Sequence, residues 1–584
     1  MTTIPTPAGA DAADANLQLT IRARAREAVR AGWMAAVANG TLPGVPDDQH
    51  EPAVEIERPA KPEHGDLSTN VAMKLARPLR RPPMAIAEAI VSAINGANAG
   101  DSPIASATTA PPGFINLRVA DVALEETIDT VLGTPASWGR VAPIAPRSVN
   151  VEFVSANPTG PLTIGNARGA FIGDLLCRIL EAGGQRVTRE YYFNDAGGQV
   201  DQLGTSVLAV RRGEPVPEDG YQGAYVADLA ASIPAAVWSD ATASEADPAA
   251  VLGHWAAGVV RSQIEASLER LGVRFDVWTS EGSLHADGWV QRAIERLRSG
   301  GHLYEQDGAL WFRSTAFGDD KDRVVIRSNG EPTYFAADLG YVTEKFSRGF
   351  DHLIYIWGAD HHGTVARLRN AAGAMGYDRD AVQVLLYAWV RFISGGVEVS
   401  MSKRAGEFVT LDELLEEVGV DATRWFFASR GATTEIDFDI EHMRGLREAL
   451  ERGDYEEASK LPVYYVQYAH ARIASIERKA AETGLERAPS VAGGIAGDAE
   501  GALARAIVRF PEVVEDAVLT EETIGVTTYV LELASQFHAF YRDAHVIDAD
   551  DPDRSAKRLA LVAATRTTLA NGLALLGISA PQQM

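Results

Sequence analysis

The chain has 584 residues, a formal net charge of −25 and a single cysteine, Cys177. That length exceeds what one hydrophobic core supports and calls for about two to four domains. The lone thiol excludes an intrachain disulfide and fits a reducing compartment, and the acidity excludes indiscriminate nucleic-acid binding while leaving room for local basic surfaces. No DNA partner is therefore expected. No apolar run reaches the roughly 20 residues of a membrane helix. The N-terminal Met1-Thr2-Thr3-Ile4-Pro5 and its Ala/Asp-rich continuation lack the basic region and apolar core of a secretory signal. The expectation is a cytoplasmic protein with no membrane partner.

In chain order, residues 1–16 read as a disordered tail. A small mixed unit follows over 17–120. It has a helical pattern from Ile21 to Val37, the phrase Gly65-Asp66-Leu67-Ser68-Thr69-Asn70, and a strand-like run from Gly113 to Val119. Ser68 or Thr69 is placed to cap the helix carrying Val71, Met73 and Leu75. Residues 121–146, ending in Val141-Ala142-Pro143-Ile144-Ala145-Pro146, read as a linker. A nucleotide-binding α/β domain spans 147–410, with a Pro/Asp/Ala-rich insertion near 213–250. In it, Val324 to Glu331 is a predicted hairpin with an Asn329-Gly330 turn, and Leu353 to Trp357 a buried parallel strand. From Leu411 to Met584 the periodicity is helical. Tyr529, Leu533, Phe537, Phe540 and Tyr541 mark one face, and Leu569, Leu573 and Leu576 another, which implies a bundle.

The most informative stretch runs from Val149 to Gly169. Val149, Val151 and Phe153 alternate as in a strand; Pro158, Gly160 and Pro161 break it; Ile164, Ala167, Phe171 and Leu175 then recur at helical spacing. A helix start just past the carboxyl end of a strand offers free N–H groups to an anion, and open α/β sheets bind nucleotides there. Glu152 and Asn157 flank this turn and suit a cationic substrate, although in isolation they also read as a solvated strand acid and a turn former. Tyr334 and Asp338 share one helix face; in isolation they suit a core aromatic and a surface acid. Asp360-His361-His362 follows a predicted strand. Adjacent histidines diverge on regular elements and no other His/Cys cluster exists, so no metal site is expected.

These phrases resemble the arginyl-tRNA synthetases, a family of class I aminoacyl-tRNA synthetases. The family usually reads Pro-Leu-His-Ile/Val-Gly-His where this chain has Pro161-Leu162-Thr163-Ile164-Gly165-Asn166. Ser400-Met401-Ser402-Lys403 resembles the second class I signature, Lys-Met-Ser-Lys, with its first lysine replaced. Asn194-Asp195-Ala196-Gly197-Gly198-Gln199, Gly65 to Asn70, Gly113-Phe114-Ile115-Asn116 and Leu461 to Arg472 match further family phrases. The resemblance implies an α/β Rossmann-type class I synthetase catalytic domain over 147–410. It further implies a small N-terminal α/β domain that contacts the tRNA elbow and an all-α anticodon-binding bundle over 411–584.

The same resemblance implies the chemistry. L-arginine and Mg-ATP form arginyl-adenylate, with no tightly bound cofactor, and the arginyl group passes to tRNA(Arg). The family generally needs tRNA for the first step. Arginine falls to Glu152, Asn157, Tyr334, Asp338 and His361, and ATP to Pro161, Thr163, Gly165, Asn166, Met401, Ser402 and Lys403. Lys403 would stabilise the charge of departing pyrophosphate, with Thr163 and Asn166 as neutral donors. Asn70, Gln467, Tyr468 and Arg472 are the implied tRNA contacts, the last three able to stack on or bond unpaired bases. A monomer is expected. Replacing both signature histidines by uncharged residues removes donors worth about 10²–10³ in rate each, which opens an alternative: an inactive or weak paralogue that binds tRNA. The intact acids and Lys403 favour the enzyme.

Overall fold

The computed structural model of the chain describes residues 20–97, 102–141, 146–195, 197–243, 247–398 and 410–584. The expected tail over 1–16 lies outside them. In the N-terminal unit, strands Leu67–Thr69, Phe114–Val119 and Ile104–Ala110 form an antiparallel sheet with Phe114–Val119 in the middle. Helices Ile21–Ala38, Val71–Leu79 and Pro83–Gly96 complete it. The N-cap of Val71–Leu79 is Asn70 rather than the expected Ser68 or Thr69, although Thr69 Oγ1 accepts the Val71 N–H at 3.3 Å. Residues Asp121–Gly133 form a helix rather than part of a linker. The reason is a face of Ala123, Leu124, Ile128 and Val131 at helical spacing, all buried.

The central domain is built on a five-stranded parallel sheet. Its order is Val382–Tyr387, His352–Gly358, Ser148–Glu152, Arg186–Phe193, Val277–Ser280. Chain order reverses between Ser148–Glu152 and His352–Gly358, so a crevice opens at the carboxyl ends of those two strands. The helix Ile164–Ala182 packs against the first of them without a gap: a Cβ on Gly173 would lie 2.2 Å from Phe153 Cγ. In the insertion, helices Ala224–Ser232 and Ala235–Ala241 lead into Pro248–Arg270, which lies against Gly198–Arg212 at glycine distance. A Cβ on Gly204 would sit 1.9 Å from the Ala249 carbonyl oxygen. A meander of Leu303–Gln306, Ala309–Phe312 and Arg323–Ile326 precedes the helix Tyr334–Ser347. The expected hairpin turn is present, with Gly330 at φ 86°, but its second arm is only a bridge between Ile326 and Pro332. Thr333 caps the next helix there and ends any strand.

The C-terminal part is helical, with long helices Pro462–Glu482, Ile524–Asp543 and Pro552–Leu575. One strand, Ile436–Asp439, pairs in parallel with Val390–Ser394, so a small sheet straddles residue 410. Tyr529, Leu533, Phe537 and Phe540 are buried as expected, whereas Tyr541 is exposed because it lies one residue, or about 100°, round the helix. Buried polar groups tie the units together. Glu512 accepts Arg58 at 2.8 Å and the Arg22 backbone N–H at 3.1 Å. Trp138 Nε1 donates to Thr568 Oγ1 at 3.0 Å. Arg424, fully buried, pairs with Asp174 on the helix Ile164–Ala182 and donates to the carbonyls of Leu576 (2.8 Å) and Leu271 (3.0 Å). Removing one partner of a buried ion pair leaves an uncompensated charge. Arg424→Met is expected to destabilise the protein by about 3 kcal/mol, seen as an earlier urea unfolding transition.

Candidate active site

The loop after Ser148–Glu152 is strained. Val154 and Ser155 adopt φ of 68° and 42°, a region that a β-branched residue rarely enters. Three groups hold it there. Tyr191 Oη accepts from the Ala156 N–H (3.0 Å) and donates to the Ala156 carbonyl (2.8 Å). Ser155 Oγ accepts from the Tyr192 N–H (3.2 Å) and donates to Glu152 Oε1 (3.1 Å). Asn157 Nδ2 donates to Gln199 Oε1 at 2.7 Å, which joins this loop to the Asn194–Gln199 phrase. Asp195 in that phrase fixes the next strand end instead, accepting from Ser280 Oγ (2.6 Å) and the Gly282 N–H (3.2 Å).

Thr163 is the N-cap of the helix Ile164–Ala182. Asn166 Oδ1 reaches back to accept the Thr163 backbone N–H at 3.1 Å and its hydroxyl at 3.0 Å. The two residues at the family's histidine positions therefore bond each other and close the helix end. That leaves the Asn166 Nδ2 with no hydrogen bond among the described residues. Pro161 and the exposed Gly165 flank the same turn. Thr163 also forms an antiparallel bridge with Thr410, and the Leu411 N–H donates to the Leu162 carbonyl at 2.9 Å. Thr410 directly follows the segment holding Met401, Ser402 and Lys403, which lies outside the described residues.

Beside this turn lies a cluster of acids. Glu152 is buried, and Lys345 Nζ, itself fully buried, donates to its Oε2 at 2.7 Å. Nζ sits 4.1 Å from the ring centroids of both Tyr341 and Tyr355. Tyr355 is the register partner of Glu152 on one neighbouring strand, and Glu190 on the other. Burial raises the Glu152 carboxyl above its usual range, and Lys345 opposes that. Glu190 accepts Tyr341 Oη at 2.7 Å and Arg348 Nη2 at 2.6 Å. Burial works against its ionisation too, but Lys345, Arg348 and its hydrogen bonds hold it below the usual range. Asp338 differs: it has no hydrogen bond or ion pair among the described residues. Burial, then Glu152 and Glu281, push its carboxyl up to about 7.

Glu281 escaped the sequence reading. It follows the strand Val277–Ser280 directly and accepts the Tyr192 hydroxyl at 2.8 Å, while Tyr192 stacks on Tyr341 at 4.9 Å. The available signal was an acid at the carboxyl end of a sheet strand, the rule that singled out Glu152. Tyr334 is 70% exposed at the start of the Asp338 helix. His361 is exposed, its ring 5.6 Å from Trp357 and its Nε2 3.5 Å from Asp360.

Of the implied tRNA contacts, Gln467 is a correction. It is buried, and its Nε2 donates to Asp421 Oδ2 (2.7 Å) and the Ser579 carbonyl (3.0 Å), so the amide is used inside the fold. Tyr468 and Arg472 are half-buried; Arg472 lies between the rings of Tyr468 (4.9 Å) and Tyr541 (5.1 Å). Asn70 starts the helix Val71–Leu79, with its buried Oδ1 unpartnered.

A helix start at the switch point of a parallel sheet, with a cluster of acids beside it and a helical bundle behind, has the geometry of a nucleotide site in an open α/β sheet. Comparison with known proteins narrows this. Residues 17–119 match the arginyl tRNA synthetase N terminal domain, 254–427 the class I (R) tRNA synthetase catalytic domain, and 466–584 the DALR anticodon binding domain. A structure described as a putative arginyl-tRNA synthetase from Campylobacter jejuni is 31% identical, with a TM-score of 0.69 over 80% of this chain and 100% of its own. The chain belongs to the arginyl-tRNA synthetase family. The Thermus thermophilus arginyl-tRNA synthetase (24% identity, TM-score 0.71, covering 96% of this chain and 100% of its own) shares the fold. So does the Plasmodium falciparum enzyme (16%, 0.71, 98% and 100%).

Burial and then two carboxylates hold the Asp338 proton, so neutralising one of the carboxylates must release it more easily. Glu281→Gln is expected to lower the Asp338 titration midpoint from about 7. Infrared difference spectra of protein labelled with ¹³C-aspartate, taken across a pH series, measure this directly.

Proposed function

We propose that this chain ligates L-arginine to tRNA(Arg). Arginine and ATP, the latter as its magnesium complex, give arginyl-adenylate and pyrophosphate; the arginyl group then moves to the terminal ribose of the tRNA, releasing AMP. The observation that carries the reading is Asp338, a carboxylate with no hydrogen bond or ion pair among the described residues, set in a cluster of acids beside the nucleotide turn. A guanidinium supplies five N–H donors and one fixed charge. Asp338 and Glu281 would accept it, with Glu152 and Tyr334 beside them; Asn157 and His361 would hold the amino-acid end. An uncharged amino acid would leave these acids unmatched and is rejected on that ground.

No covalent intermediate on the protein is needed. The arginine carboxylate attacks the α-phosphate, and the site supplies position and charge stabilisation. Thr163 shapes the helix start, and the unpartnered Asn166 Nδ2 is the donor aimed at a phosphate oxygen. Tyr468 and Arg472 remain the proposed contacts to unpaired tRNA bases. The single cysteine fits a reducing cytoplasm.

Arginine-dependent ATP–pyrophosphate exchange, run with and without tRNA(Arg) and with lysine as control, tests this reading. Exchange with arginine and tRNA is expected. None, with tRNA binding intact, would favour the inactive paralogue.

Two further outcomes follow. Protonated Asp338 carries no charge for the guanidinium, so kcat/KM for arginine should fall as pH drops below about 7 and level off above it. At saturating arginine the bound cation stabilises the ionised form, so kcat should lose that dependence. Asp338→Asn should raise the arginine KM by about 100-fold and remove the limb near neutral pH. Asn166→Asp keeps an acceptor for Thr163 but replaces the amide donor with a negative charge. A kcat loss of about 10²–10³ with an unchanged melting temperature is expected.

A further inference from the structure

Lys345 is buried in the middle of the acid cluster, and the reaction as derived above gives it no task. Its ammonium lies 2.7 Å from Glu152 Oε2 and 4.1 Å from the faces of Tyr341 and Tyr355. An ammonium between two aromatic faces is held by both ring quadrupoles and has little freedom to turn away. Its neighbours show a definite charge count. Lys345 matches Glu152, and Arg348 matches Glu190 at 2.6 Å. Asp338 and Glu281 form no ion pair among the described residues, although the charge of Arg367 reaches Asp338. The lone pairs of Glu152 are equally ordered. Lys345 occupies one on Oε2 and Ser155 one on Oε1, and a carboxylate offers about four. A further buried polar group, the Tyr355 hydroxyl, has no hydrogen-bond partner among the described residues.

We propose that Lys345 is a positioning residue for arginine recognition. Clamped between Tyr341 and Tyr355, it keeps Glu152 ionised and fixes its plane, so that the open lone pairs of Glu152 complete the acceptor set that Asp338 begins. This rests on the arginine-site reading. A bare buried Glu152 would take up a proton instead, since burial already disfavours its charged form and Lys345 is the chief opposing group. The groups facing Glu152 are Glu190 from one strand, Tyr355 from the other, and Asp338, Tyr341 and Lys345 from the helix; of these only Lys345 is a cation.

The alternative is an ion pair that only fastens the helix Tyr334–Ser347 to the sheet. The test is pyrophosphate exchange with tRNA(Arg) on the full chain, reading KM and kcat for arginine and the pH profile of kcat/KM. If the unaltered protein shows no arginine-dependent exchange, the arginine reading itself fails, and with it this inference. Given exchange, Lys345→Met is expected to raise the arginine KM about tenfold or more, leave the ATP KM unchanged and move the acid limb to higher pH. Lys345→Arg, which keeps the charge, should recover most of the loss. An unchanged arginine KM and pH profile in Lys345→Met, even with a lower melting temperature, would overturn the proposal while the arginine reading stands.

The double variant Glu152→Gln/Lys345→Met removes both buried charges and should fold even if Lys345→Met does not. Its arginine KM should equal that of Glu152→Gln alone, because a group acting only through Glu152 has nothing left to act on. A double variant clearly worse than Glu152→Gln, or one with the unaltered KM, would also overturn the proposal.

Discussion

Glu152 sits at the carboxyl end of the central strand of a parallel sheet, where both faces are covered and water is scarce. A carboxylate there is stable as an ion only if the surroundings supply charge and donors. The neighbouring elements do so together. The helix Tyr334–Ser347 contributes Lys345, the strained turn contributes the Ser155 hydroxyl, and Glu190 on the adjoining strand is matched by Arg348 from just past the helix end. The helix is thereby held in one register against the sheet. That register brings Asp338, two turns before Lys345 on the same face, into the field of Glu152. The raised proton affinity of Asp338 follows first from its own burial on that face and then from the charges of Glu152 and Glu281.

The nucleotide side of the crevice follows a different constraint. A strand must turn into a helix within a few residues and leave the helix N–H groups free. Val154 and Ser155 take left-handed backbone conformations to make that turn, held by Tyr191 and by the Glu152–Ser155 contact. The same carboxylate therefore joins the acid cluster to the turn at the helix start. At the helix start, Thr163 and Asn166 trade the charge that histidines could carry for a stiff reciprocal cap. A capped helix end still presents N–H groups and their partial positive charge, so the turn keeps the physics of anion binding while giving up side-chain charge.

Much of this was legible in the sequence because the main signals are local. Alternation, Pro/Gly breaks and helical spacing placed the strand, turn and helix around Glu152 within a few residues. Asp338 was found from the phrase Tyr334-x-x-x-Asp338, which resembles the family's and whose spacing puts both residues on one helix face. Groups whose role depends on distant partners escaped. Lys345 lies 193 residues from Glu152, and a lysine late in a helix looks like a solvated residue until the tertiary structure buries it. Glu281 lies 89 residues from the Tyr192 that fixes it. Gln467 was misread for a related cause: the family resemblance implied a tRNA contact there, but Asp421 and Ser579 draw its amide inward. The helix Asp121–Gly133 was hidden by the Pro/Ala-rich run after it. Nothing local to Asn166 signals that its oxygen is taken by Thr163.

The helix Ile164–Ala182 links the site to the rest of the molecule. Its first turn forms the phosphate end, its middle carries Gly173 against Phe153, and Asp174 one residue on pairs with Arg424. Arg424 in turn holds the carbonyl of Leu576 at the end of the bundle, and Trp138 and Asn571 fasten the N-terminal unit to the same helix, Pro552–Leu575. These joints are buried ion pairs and hydrogen bonds, whose strength depends steeply on geometry and leaves little slack. Contiguity of this kind is not coupling by itself. It does mean that a large ligand spanning the N-terminal unit and the bundle grips the two bodies between which the phosphate-binding helix is fixed, so any rearrangement it causes must act on that helix or break one of these joints.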